Sequence, residues 1–154
     1  MKKVLYLLMA LPLFFASCDD DDNDFPRVKI GIDVSGCQVV DGVIYVVQGD
    51  TISVDSLNVV AVDGKTKVAI AAVNYYWDRM YVDTNVIPPF QFSIDTGKAM
   101  IGRHLLHMRC SLLAVDYPPV IAHLDYPVRI VASPQDIPNG NVSGPLFIVP
   151  EIDD

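Results

Sequence analysis

The stretch Gly102-Arg103-His104-Leu105-Leu106-His107-Met108-Arg109-Cys110-Ser111-Leu112-Leu113-Ala114-Val115 decides the fold class, because it is long and apolar enough for either a helix or a strand. At a period of two, His104, Leu106, Met108, Cys110 and Leu112 share one side. Arg103, Leu105, His107, Arg109 and Ser111 share the other. A helix would need a polar stripe at a 3.6-residue period; Arg103, His107 and Ser111 begin one, but Arg109 falls off it. The pattern favours a strand.

The flanking sequence agrees. Val28–Val34 alternates as a half-buried strand, Val43–Val47 follows, and Thr51–Val62 reads as one bent strand or two short ones. Asp63-Gly64-Lys65 is a hairpin-type turn. Val68–Trp77 is a further strand, with Ala69, Ala71, Val73, Tyr75 and Trp77 expected inward. Asp78-Arg79 turns into Met80-Tyr81-Val82, and Phe90–Ile94 alternates after Pro88-Pro89. Val120–Val131 returns as a final strand, where Pro127 suggests an edge or a bulge. Seven or eight short strands without a convincing helix predict an all-β antiparallel sandwich over residues 28–132. Residues 133–154, rich in proline and glycine, read as a C-terminal tail in which Leu146–Val149 is an apolar patch able to dock.

The beginning of the chain is different in kind. Lys2 and Lys3 precede an apolar run, Val4–Phe15, that is too short to span a bilayer as a helix of about 20 residues. Phe15-Ala16-Ser17-Cys18 then resembles the lipobox of bacterial lipoproteins. The resemblance implies a signal peptide at 1–17, cleavage before Cys18, and lipidation of that cysteine, including palmitate-type acylation. Several acyl chains on one residue would give stable anchoring. Residues 18–27 form a lipidated acidic tether. Asp19, Asp20, Asp21 and Asp22 resemble the signal by which some Gram-negative anaerobes export lipoproteins to the outer face of the outer membrane. They lack the spaced ligands and central glycine of a calcium loop.

Charge narrows the partners. The whole chain carries −8; losing residues 1–17 removes Lys2 and Lys3 and no acid, which leaves −10. Such a domain is repelled by phosphate backbones, so nucleic acid is not an expected partner.

Within residues 28–132 several motifs resemble immunoglobulin-like or PKD-like sandwiches. Val47-Gln48-Gly49-Asp50-Thr51-Ile52 resembles the turn that opens their second strand. Trp77 stands where such folds bury a tryptophan. Gly102-Arg103-His104-Leu105-Leu106 resembles the opening of their penultimate strand, with His104 in place of the usual tyrosine. The resemblance implies a single antiparallel immunoglobulin-like sandwich of about seven strands, and no particular chemistry. Cys37 lies too early in the chain to reproduce an antibody-type disulfide. Cys37 and Cys110 either pair, closing a loop of roughly 70 residues worth about 4 kcal/mol, or remain as buried thiols.

Catalytic signatures are missing. No G-x-S-x-G elbow or phosphate-cradling loop occurs, and Cys110 reads as core between Met108 and Leu112. His104 and His107 would share a face on a helix, but on a strand they point opposite ways and cannot grip one ion. His123 could join one of them, without a further ligand at suitable spacing. His104 is expected in the core and His107 exposed, with no metal, no cofactor and no enzymatic activity. The aspartates at turns (Asp78, Asp83, Asp95, Asp116) suit local backbone bonding.

Tyr76, Tyr81, Tyr117 and Tyr126 are the candidate partner surface, a platform for protein or glycan. Asp50-Thr51-Ile52 and Asp55-Ser56-Leu57 resemble a bacterial O-glycosylation acceptor, which implies Thr51 and Ser56 as modified residues. The sequence thus points to a lipid-anchored, outer-membrane, cell-surface module that binds or assembles with a protein or glycan. The alternative is a structural subunit or spacer of a larger envelope complex.

Overall fold

The computed structural model describes residues 24–142 and 144–153. Cys18 and Asp19–Asp22, which carry the expectations of lipidation and export, lie outside the described residues. Eleven strands form: β1 (Val28–Ser35), β2 (Gln38–Val40), β3 (Val43–Val47), β4 (Thr51–Ala61), β5 (Val68–Trp77), β6 (Met80–Asn85), β7 (Phe92–Asp95), β8 (Gly102–Ala114), β9 (Val120–Val131), β10 (Leu146–Ile148) and β11 (Glu151–Asp153). The only helical turn among the described residues is a 3-10 turn at Pro134–Asp136.

The decisive stretch is β8. Leu106, Met108, Cys110 and Leu112 are completely buried, while Arg103, Leu105, His107, Arg109 and Ser111 face outward. Burying each large apolar side chain contributes roughly 1.5–3 kcal/mol, which no helical arrangement of these residues would collect on one face.

The strands make two packed sheets. One runs β10-β1-β4-β7; the other runs β2-β3-β9-β8-β5-β6, with β11 also paired to β9. Every pairing is antiparallel except β3 with β9, which is parallel from Ile44↔Val128 to Val47↔Val131. The two layers and their order are those of an immunoglobulin-like sandwich. Tyr75 of β5 stacks on Phe92 of β7 across the interior, ring centroids 4.3 Å apart. Its hydroxyl donates to the Phe90 carbonyl.

Gly36 sits where the chain leaves the first sheet for the second. Its φ is +72°, and a Cβ there would lie 2.0 Å from the Thr51 carbonyl oxygen, so only glycine fits.

The expected strand count and two local readings need correction, and one open alternative is decided. Eleven strands, not about seven, are present among the described residues, because β2, β10 and β11 are three residues each and too short to leave a pattern. Residues 133–154 are no bare tail: β10 extends the first sheet beside β1 and β11 extends the second beside β9. Leu146, Ile148 and Ile152 pack against the core, as the apolar patch foreshadowed for the first two. Thr51–Ala61 is one strand, bulged where Asp55 is skipped in its pairing with β1. In β5 the register slips between Ile70 and Ala72, so Ala71 is a bulge. The phase inverts there: Ala69 is exposed, Ile70 packs inward, and Val73, Tyr75 and Trp77 hold the expected face.

Candidate functional site

The second sheet turns its outer face to solvent, and the side chains with chemistry collect on it. Cross-strand register writes the rows. Tyr81, Tyr76, His107 and Asp125 lie in line across β6, β5, β8 and β9. The next row is Asn74, Arg109, His123 and Glu151. At the other end, Arg103 pairs with Arg129, which pairs with Tyr45. Skipping Val82 in the β5–β6 pairing sets Tyr81 opposite Tyr76. Their rings meet edge-on with centroids 5.8 Å apart, and Tyr76 lies 5.4 Å from the His107 ring.

Asp78 and Arg79 form the two-residue turn between β5 and β6, both with positive φ, 49° and 69°. Such turns normally use Asn-Gly or Asp-Gly, because β-carbons crowd the left-handed region. Asp78 is held from β8: its carboxylate accepts the Leu105 N–H at 2.9 Å and the His104 Nδ1 at 2.6 Å. Its bonds are therefore long-range rather than the local ones expected of a turn aspartate.

His104 directs its other ring nitrogen, Nε2, to the Met100 carbonyl at 2.7 Å. With an acceptor at each nitrogen, the imidazolium, which donates from both, suits this seat better than either neutral tautomer. Burial opposes that charge, but the bonds to Met100 and Asp78 outweigh it, so the pKa lies above the ordinary histidine value. The ring stacks on Trp77 with centroids 5.1 Å apart, a favourable seat for a cation.

His107 bonds Asp125 at 2.6 Å and His123 bonds Asp153 at 2.7 Å. These two and His104–Asp78 are the contacts at ion-pair distance among the described residues, and none involves an arginine. No group of three or more His, Cys, Asp or Glu converges there to hold a metal.

Two clefts open beside the Asp78-Arg79 turn. One, about 360 Å³, is lined by Tyr76, Arg79, Leu105, His107, Arg109 and Asp125. The other, of the same size, is lined by Asp78, Arg79, Arg103, His104 and Leu105. Arg79 and Leu105 border both.

The anticipated tyrosine platform is therefore half dissolved. Tyr76 and Tyr81 meet on this face. Tyr126 is 1% exposed, because the alternation of β9 places it inward with Leu124 and Val128. Its shielded hydroxyl has no partner among the described residues. Tyr117, in the loop between β8 and β9, packs edge-on against Phe25, 6.0 Å between centroids. Among the described residues, Cys37 and Cys110 are both free thiols. Cys110 is fully buried on the inner face of β8, and burial pushes it up to about 12. Cys37 is raised to about 11, by burial and then by Asp55. Neither offers a thiolate nucleophile at neutral pH. Thr51 is exposed at the start of β4, whereas the Ser56 hydroxyl donates to Asp33 at 2.7 Å.

Arg103, His107 and Arg109 share one side of β8 by the alternation of the sequence, which does not by itself mark the arginines as a site. Their signal was parity; what it lacked was the register that adds Arg79 and Arg129.

No family model matches the chain, and no curated protein does. Among solved structures, the fibronectin(III)-like modules of Clostridium thermocellum CbhA are similar, with 16% identity and a TM-score of 0.41 over 66% of this chain and 97% of that chain.

Proposed function

We propose that this chain is a non-catalytic module of the cell envelope that binds a protein or glycan through the outer face of its second sheet. The observation that carries the reading is the row Tyr81-Tyr76-His107-Asp125: half-exposed aromatic and hydrogen-bonding groups in line on a rigid sheet. The sequence around Cys18 supports a lipid anchor in the outer membrane. Asp19–Asp22 support display to the exterior, and the acidic tether would give the module reach. Radiolabelled palmitate should be incorporated by the native chain and not by Cys18→Ser. Protease added to intact cells should degrade the protein; protection until lysis would refute surface display. A glycan array probed with the full chain in neutral detergent tests recognition, with Tyr76→Ala as the variant that should lose signal.

The second reading, an assembly subunit, rests on β6. This edge strand pairs only with β5 and exposes Met80, Tyr81 and Val82 at 67%, 60% and 43%. An open apolar edge suits strand addition by a protein partner. Val82→Pro should abolish an edge-mediated complex in pull-downs while leaving glycan binding intact.

A further inference from the structure

The arginines are distributed unevenly. The chain has five, and four of them, Arg79, Arg103, Arg109 and Arg129, belong to the outer face of the second sheet or the turn that borders it. Carboxylates outnumber cations in this chain, yet none lies within ion-pair distance of any arginine among the described residues. The acids that line the clefts are already engaged, Asp78 by His104 and Asp125 by His107. Arg109 carries an Nε that is shielded from solvent and bonded to nothing described. Arg79 occupies a left-handed position where glycine would be more stable, so a guanidinium is kept there at a conformational cost.

Resting on the binding reading above, we propose that the paired clefts beside Arg79 bind an anionic polysaccharide, with Arg103 and Arg109 taking carboxylates of neighbouring acidic sugars and Arg79 bridging them. A guanidinium fork matches a carboxylate bidentately. The Tyr76 ring, which lines the first cleft, and the Tyr81 ring set edge-on against it offer apolar surface to a sugar ring. Two equal clefts with a shared wall suit a repeating ligand better than a single small anion. An acidic peptide would satisfy the arginines but has no need of the tyrosines.

The test uses the full chain in neutral detergent and measures affinity for polygalacturonate, alginate and chondroitin sulfate by calorimetry. At least one polymer should bind, and raising sodium chloride from 20 to 200 mM should weaken it about tenfold or more. Arg103→Gln with Arg109→Gln should lose tenfold or more with an unchanged melting temperature. Tyr76→Ala should weaken binding, and Lys29→Gln, on the opposite sheet, should not. Failure to bind all three polymers overturns the proposal. Equal binding of poly-glutamate without dependence on Tyr76 also overturns it, in favour of an acidic protein. Tyr76-dependent binding of methyl-esterified, uncharged polygalacturonate overturns the anionic specificity while leaving the glycan-binding reading intact.

Discussion

The two outer faces of the sandwich share one core and spend their polar groups in opposite ways. On the first sheet the carboxylates and hydroxyls satisfy one another: Ser35 donates to Asp55 at 3.0 Å, Ser56 to Asp33 at 2.7 Å, and Ser53 meets Ser93 at 2.9 Å. Phe147 of β10 then lies over Gly31, where a Cβ would come within 2.5 Å of the ring. That face is closed on itself. On the second sheet the histidines are paired and the Tyr81 hydroxyl meets Thr84 at 2.9 Å, but the arginines and the Tyr76 hydroxyl have no hydrogen-bond partner among the described residues. A surface whose donors lack acceptors is poised for a ligand, whereas one whose groups are mutually bonded would have to break bonds to take one.

Variants can break this contrast in graded steps. Gly36→Ala should harm both faces at once, because the left-handed backbone and the collision with the Thr51 carbonyl add up; a loss of about 3 kcal/mol or more in urea unfolding is expected. Asp78→Ala should loosen the second face alone, costing roughly 2 kcal/mol as His104 and the Leu105 amide lose their acceptor, discounted for the partial exposure of Asp78.

The same pair sets a pH dependence. His104 titrates higher in the folded state than the unfolded value of about 6.5, so its stabilisation is complete below that pH. It fades as pH rises through the folded value. Melting temperatures of Asp78→Asn should show less of this alkaline decline than the native chain. An identical decline in both would remove His104 as its source.

Arg79→Gly sharpens the comparison from the other direction. Relieving the left-handed arginine should raise stability by about 1 kcal/mol while polyanion binding falls. If stability and binding rose together, the strain at Arg79 would have no functional meaning. The smallest effect is expected from Ser56→Ala on the closed face, about 0.5 kcal/mol from one partly exposed hydrogen bond, with ligand binding unaltered.

What the sequence disclosed follows from what alternation can encode. The parity of residues 102–115 separates buried Leu106, Met108, Cys110 and Leu112 from outward Arg103, His107 and Arg109. Parity fails where the backbone inserts a residue: the bulge at Ala71 turns Ala69 outward with no compositional mark. Tyr126 was legible, since it shares the phase of Leu124 and Val128, but the neighbouring Pro127 suggested an edge or a bulge, whereas β9 lies between β3 and β8 and keeps its register with β8 through Pro127. Strands of three residues are fixed by the edges they join, so β10 and β11 could be anticipated only as an apolar patch. The clefts required three separate facts, the β8–β9 register, the Val82 skip and the turn at Asp78-Arg79, and none of them is written in any one segment.

The placement of β1 has a mechanical consequence. It is the first strand after the segment that precedes Val28, and it is bonded along both edges, to β4 over its whole length and to β10 near its middle. A pull through that segment runs parallel to the strand and across its hydrogen bonds, so the bonds are loaded in shear and must yield together. A domain tugged by its leading end would in this way meet the pull in the sheet opposite the one that carries the arginines.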